Sequence, residues 1–224
     1  MNIASYIDHT ILKPVTRLQE VKDLCLEANE YGFAAVCVPP PFVKNARGFL
    51  GGSTVKVATV IGFPFGYSAP RAKIFEVQQA IDDGAYELDM VINLIALKNG
   101  TWAFLESEVK YVLEATRKNN RILKVIIESG ILSDDEIIKC CEIYGSAGVD
   151  FLKTSTGYAE KGASPEAVAL MRAHLPANVQ IKASGGIRSY RFARELIGAG
   201  ADRLGCSASV AIVKDEPPQD RSAD

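Results

Sequence analysis

Apolar runs of strand type alternate with amphipathic helical stretches along almost the whole chain. Ile7-Asp8-His9-Thr10 is a short first strand. From Thr16 to Glu30, Leu18, Val21, Leu24, Cys25 and Ala28 recur on one helical face, with Thr16 as the expected cap and Gly32 as the stop. Phe33 to Val38 is continuously apolar, as in a strand buried on both sides of a parallel sheet. The pattern then predicts helix 42–50, strand 55–61, helix 71–83, strand 86–92, helix 102–119 and strand 122–127. Ser133-Asp134-Asp135-Glu136 has the form of a capping box and opens the next helix. A strand over 148–153 follows, then a helix opening at Ser164-Pro165, a strand over 179–183, a helix over 189–197 and a last strand-like stretch at 202–207.

These make about eight β/α units, with no linker-like interruption. The 224 residues suit a TIM (β/α)8 barrel at the small end of its range. A doubly wound sheet is the alternative, disfavoured by the number of units and by the lack of a G-x-G-x-x-G fingerprint. The expectation is a single catalytic barrel over residues 1–214, with a polar, proline-bearing tail over 215–224 expected to fray.

Composition changes the picture mainly by exclusion. Hydrophobic residues make up 48 % and the net charge is −2, so no nucleic-acid or anionic-membrane surface is expected. No apolar run has the length of a membrane span, and the N-terminus lacks the regions of a signal peptide. The 5 cysteines show no Cys-x-x-Cys spacing and read as reduced thiols of a cytoplasmic protein. With only 2 histidines, His9 and His174, a histidine metal centre or a Ser-His-Asp triad has little to build on.

In a barrel of this kind the chemistry sits at the C-terminal ends of the strands. Those positions hold Asp8, Thr10, Cys37, Asp89, Asn93, Glu128, Lys153, Lys182 and Ser207. A charge inside an apolar strand is costly unless paired or functional. Asp89, Lys153 and Lys182 are read as such charges, on strands whose inward faces converge. A buried lysine loses part of its basicity, and a neutral lysine amine attacks carbonyls to form an imine. Neutrality at pH 7 requires a pKa drop of about 3.4 units, or roughly 4.6 kcal/mol. A second ammonium ~5 Å away at an effective dielectric of ~20 supplies roughly 3.3 kcal/mol, and desolvation the rest. The pairing expected is Lys153 as nucleophile, Lys182 as the neighbouring charge and Asp89 as proton shuttle. The repulsion is mutual, so this arithmetic leaves open which lysine is the nucleophile, and a plain strand-end ion pair is the competing reading. Gly157, Gly185-Gly186 and Gly205-Cys206-Ser207 follow the last three strands, where backbone N–H groups of late βα loops take up phosphate. Cys37 and Cys206 read more simply as small buried hydrophobes, Glu128 as a base or a lysine's partner, and His9 as a structural hydrogen-bonder.

Taken together, Ile7-Asp8-His9-Thr10-Ile11-Leu12-Lys13-Pro14, Val36-Cys37-Val38-Pro39, Val60-Ile61-Gly62-Phe63-Pro64, Glu87-Leu88-Asp89-Met90-Val91-Ile92-Asn93, Leu123-Lys124-Val125-Ile126-Ile127-Glu128, Phe151-Leu152-Lys153-Thr154-Ser155-Thr156-Gly157 and Lys182-Ala183-Ser184-Gly185-Gly186-Ile187-Arg188 resemble the deoxyribose-phosphate aldolase family, in family order over almost the whole chain. The resemblance implies a class I aldolase that reversibly cleaves 2-deoxy-D-ribose 5-phosphate to acetaldehyde and D-glyceraldehyde 3-phosphate, in deoxyribonucleotide catabolism, with no metal or organic cofactor. It implies that Lys153 carries the Schiff base, Lys182 is the second lysine and Asp89 the proton relay. Gly157, Gly185, Gly186 and Ser207, with Gly205 beside them, match phosphate positions. Asp8, Thr10 and Thr156 match positions near the sugar hydroxyls, and Cys37 one close to the site. A homo-oligomer, dimer or tetramer, is implied as well. Three features depart from the family pattern. No tyrosine follows Tyr190, Tyr158 stands where phenylalanine or lysine is common, and Ala208 replaces a frequent second serine. The competing readings are another Schiff-base aldolase on the same fold and a barrel that binds sugar phosphates without catalysis.

Overall fold

The computed structural model describes residues 2–217. Its elements run β1 (Ile7–Thr10), α1 (Leu18–Tyr31), β2 (Ala35–Val38), α2 (Val43–Leu50), β3 (Lys56–Ile61), α3 (Pro70–Asp82), β4 (Glu87–Val91), α4 (Leu94–Lys98), α5 (Trp102–Lys118), β5 (Ile122–Ile126), α6 (Asp134–Ala147), β6 (Phe151–Lys153), α7 (Pro165–His174), β7 (Gln180–Ser184), α8 (Tyr190–Gly198), β8 (Arg203–Cys206) and α9 (Ser209–Lys214). The strands pair in parallel and in sequence order, and β8 pairs with β1 to close the barrel. This is the TIM (β/α)8 arrangement the periodicity predicts, and closure excludes the doubly wound alternative.

The local signals act much as their chemistry dictates. Ser133 caps α6, its hydroxyl accepting from Glu136 N while Glu136 accepts from Ser133 N. Ser164 caps α7 ahead of Pro165. At α1 the expected cap is corrected: the Thr16 hydroxyl donates to the Lys13 carbonyl, and the helix starts after Arg17, whose N–H donates to the Glu20 carboxylate. The run from Phe33 starts its ladder late because Phe33 N still donates to Ala28 at the end of α1. The short helices α4 and α9 were not foreseen; each spans too few residues to show a periodic face. Of the polar tail, 218–224 lie outside the described residues.

The main hydrophobic cluster fills the space between the barrel wall and the helices. Inside the barrel the filling is divided. Ala35, Cys37, Ala58 and Val60 of β2 and β3 form a small apolar cluster of their own. The opposite side, contributed by β1 and β4 to β8, is filled by charged side chains, and the site is built on them.

Candidate active site

Register places the charges side by side. Asp89 on β4 pairs with Lys124 on β5, Lys153 on β6 with Lys182 on β7, and Lys182 with Arg203 on β8. Side chains two residues apart share a face, so Glu87 lies below Asp89, and Phe151 below Lys153. Asp8 of β1 completes the group. Asp8, Asp89, Lys124 and Lys182 are fully buried, Glu87 is 1 % exposed and Lys153 3 %.

The Asp89 carboxylate accepts from three ammonium groups: Lys124 at Oδ1 (2.7 Å), and both Lys153 and Lys182 at Oδ2 (2.7 Å each). Asp8 takes Lys182 through a short contact at Oδ2, with Lys124 at 3.6 Å, and Arg203 at Oδ1 (2.7 Å). Glu87 takes Lys124 (2.6 Å) and Arg203 (3.4 Å). The guanidinium of Arg203 also lies over the Phe151 ring, 5.4 Å from its centroid.

Four cations, Lys124, Lys153, Lys182 and Arg203, thus meet three carboxylates, Asp8, Glu87 and Asp89. Lys124, Lys182 and Arg203 each touch at least two carboxylates. Lys153 has a share in a single oxygen, which Lys182 also occupies. The electrostatic consequences follow this division. Burial lowers the Lys153 pKa and the Lys182 ammonium adds to it, against the pull of Asp89. Lys182 suffers the same burial, but Asp8 and Asp89 more than offset it and hold its proton firmly. Lys124 is likewise raised, with burial opposed by Asp89 and Glu87. Asp89 and Asp8 resist burial through their lysines and stay well below the usual carboxylate range. Desolvation is the larger cause at Lys153, so the weight that charge arithmetic placed on Lys182 shifts toward burial. The carboxylates are unequally distributed between the two lysines: Lys182 touches two and Lys153 shares one.

Lys153 is the member of this group that lines the cavity at the C-terminal rim, whereas Arg203 is partly exposed outside that lining. The cavity has a volume of about 710 Å³ and is lined as well by Thr10, Thr156, Gly157, Gly185, Gly186, Gly205 and Ser207. Lys13 and Arg188 add positive charge to the wall, and Glu20, Asp23 and Glu27 line the α1 side, where Glu27 pairs with His9 at 2.7 Å. Gly186 has φ +78°, a left-handed conformation that favours glycine, and a Cβ there would meet nothing within 4 Å. At Gly205 a Cβ would lie 3.1 Å from Lys182 Cε and 2.8 Å from Ser184 Cβ, so the missing side chain makes room for the lysine stem. Tyr158 closes one edge, its hydroxyl donating to the Leu12 carbonyl (2.8 Å) and its ring set edge-on to Phe63. Ala208 precedes α9, and the adjoining Ser209 hydroxyl is turned inward to the Cys206 carbonyl.

Two expected positions lie outside the cavity lining, Asp8 and Cys37. The Asp8 carboxylate is taken up inside the barrel by Lys182 and Arg203, each of which also has a second carboxylate. Cys37 is also sealed off, with burial pushing its thiol up to about 11. Asp89 and Lys182 lie behind the cavity lining, Asp89 against Lys153 and the Lys182 stem beside Gly205. Glu128 is not a lysine's partner within ion-pair reach among the described residues; it accepts from the Thr156 hydroxyl and backbone and so pins the loop after β6. Sequence reading missed Lys124, Glu87 and Arg203. The period-two alternation through Glu87-Leu88-Asp89 and Ile122-Leu123-Lys124 was the available signal for the first two. Arg203 sits at the first position of its strand, where it reads as a loop residue.

A parallel (β/α)8 barrel that holds an under-compensated lysine amine at the base of a rim cavity is the framework of a lysine-centred barrel enzyme. The family model described as DeoC/LacD family aldolase matches residues 2–213. The deoxyribose-phosphate aldolase of Caldanaerobacter subterraneus subsp. tengcongensis is 49 % identical over 216 residues, covering 96 % of this chain and 94 % of the relative. Among solved structures, the aldolase QR15 superposes with a TM-score of 0.90 at 40 % identity, covering 95 % of both chains. The deoxyribose phosphate aldolase of Aeropyrum pernix, described as a unique tetramer, gives 0.89 at 33 % identity, covering 95 % of this chain and 89 % of that one. The chain belongs to the DeoC/LacD aldolase family and is a lyase.

Proposed function

We propose that the protein is a Schiff-base aldolase acting on 2-deoxy-D-ribose 5-phosphate, with Lys153 as nucleophile. The observation that carries this reading is that Lys153, alone among the four cations of the cluster, has no carboxylate of its own and opens onto the cavity. The neutral amine attacks C1 of the open-chain sugar, and loss of water leaves a protonated imine. The C3 hydroxyl then gives up its proton, the C2–C3 bond breaks, and its electron pair flows into the imine as an enamine. D-glyceraldehyde 3-phosphate leaves. Protonation of C2 and addition of water release acetaldehyde and restore the amine. Asp89 Oδ2 touches both Lys153 and Lys182, so a proton leaving Lys153 passes through it and rests there only in transit.

The phosphate would sit among Gly157, Gly185, Gly186, Gly205 and Ser207, with Arg188 and Lys13 supplying charge. Thr10 and Thr156 face the same space and suit the sugar hydroxyls. The names of the relatives support the substrate. The reading includes a homo-oligomer, dimer or tetramer, which light scattering on a sizing column tests.

The deciding experiment is cyanoborohydride trapping with acetaldehyde and peptide mass mapping. A two-carbon adduct on Lys153 is expected. An adduct on Lys182, or none, overturns the assignment. A donor panel tests the substrate: a preferred donor other than acetaldehyde would point to a different phosphorylated aldol on the same site.

A further inference from the structure

We propose that Arg203, toward the N-terminal end of the barrel, is a positioning residue that determines which lysine is left without a carboxylate of its own. The inference rests on the proposed imine chemistry of Lys153. Arg203 is the first residue of β8 and touches Asp8 Oδ1 (2.7 Å) and Glu87 (3.4 Å); it lies inside the barrel and outside the cavity lining. By taking Oδ1 it turns the other Asp8 oxygen toward Lys182. Lys182 is thereby held between Asp8 and Asp89, and keeps its ammonium against the Asp89 oxygen that Lys153 also uses. A guanidinium cannot shed its proton in the accessible range, so this positive charge is permanent. With it in place, Asp8, Glu87 and Asp89 are balanced by Lys124, Lys182 and Arg203, and the proton on Lys153 is the surplus one. Without it, three carboxylates face two other cations and need Lys153 charged. The remaining groups that surround Lys153 do not supply the balance. Cys37 of β2 and Cys206 of β8 are thiols pushed up to about 11 and about 12 by burial. Glu128 after β5 is occupied by Thr156, and His9 of β1 by Glu27. The direction at Lys153, lowered by burial and by Lys182, agrees with this account.

The test is the pH dependence of acetaldehyde trapping on Lys153 in the full-length chain. Imine formation needs the neutral amine, so its rate climbs with pH through the Lys153 pKa. Arg203→Met is expected to move the midpoint of that climb up by about one unit, a roughly tenfold loss of rate on the acidic side. Arg203→Lys keeps the charge and should hold the midpoint near the wild-type position. Glu87→Gln removes an anion from the same cluster, leaves Lys124 leaning on Asp89, and should move the midpoint down. Opposite shifts from two neighbouring variants are a result that mere loosening of the barrel does not produce. A midpoint unmoved in Arg203→Met, or shifted upward in Glu87→Gln, overturns the proposal; should Arg203→Met fail to fold, the Glu87→Gln midpoint decides alone. A wild-type chain that traps nothing would instead remove the imine reading itself.

Discussion

Replacing Lys182 by leucine separates the effect of its charge from that of burial. Lys153 Nζ and Lys182 Nζ each lie 2.7 Å from Asp89 Oδ2, so the two nitrogens are no further apart than twice that distance. A pair of unit charges ~5 Å apart at an effective dielectric of ~20 repels by about 3 kcal/mol, or about two pKa units. The substitution also leaves Asp89 Oδ2 to Lys153 alone, which acts in the same direction. The Lys153 pKa therefore rises, the amine stays protonated at neutral pH, and the acidic limb of imine formation moves up by about two units or more. Asp8 keeps Arg203 and Asp89 keeps Lys124 and Lys153, so no carboxylate is stranded and the barrel should fold, as circular dichroism will show. The assay is cyanoborohydride trapping of acetaldehyde across a pH series, with the adduct measured on the Lys153 peptide. Trapping lost at pH 7 should return as the pH is raised. A variant whose limb coincides with the wild-type limb would show that burial alone sets the amine, leaving Lys182 only a proton-transfer or positioning role.

Lys153→Ala should abolish turnover and trapping while leaving the melting temperature at or above the wild-type value, since it removes the surplus cation; a large loss of stability would contradict the charge balance. Asp89→Asn takes a carboxylate from three ammonium groups and leaves Lys153 with none, so a stability loss of about 3–5 kcal/mol by denaturant titration is expected, with turnover reduced by at least about 10² in the fraction that folds. All five cysteines are buried, so none should react with a disulfide reagent at pH 8 on the time scale on which all react in denaturant. Burial raises Cys37 to about 11 and Cys206 to about 12, above an unfolded value of ~8.5. The stability linked to these thiols is complete below that unfolded value and is lost as the pH rises through the folded ones, so the melting temperature should fall above about pH 9.

What the sequence determined by itself is what local chemistry encodes. Alternating strand and helix periods lead to the barrel, Ser133 and Ser164 start their helices where cap chemistry predicts, and the glycine-bearing loops after the last three strands mark the rim. Lys153 stood out because a lysine in an apolar strand demands an explanation wherever the strand lies. The division of labour among the charges was not legible in this way. It depends on which oxygen each cation reaches across six strands, and on residues as distant along the chain as Asp8 and Arg203. Asp8 and Asp89 look alike as strand-borne aspartates, yet both lie behind the cavity wall, and Asp89 alone connects to it, through Lys153. Only closure of the barrel brings β8 against β1 and counts four cations against three carboxylates, and that count leaves one lysine amine to spare.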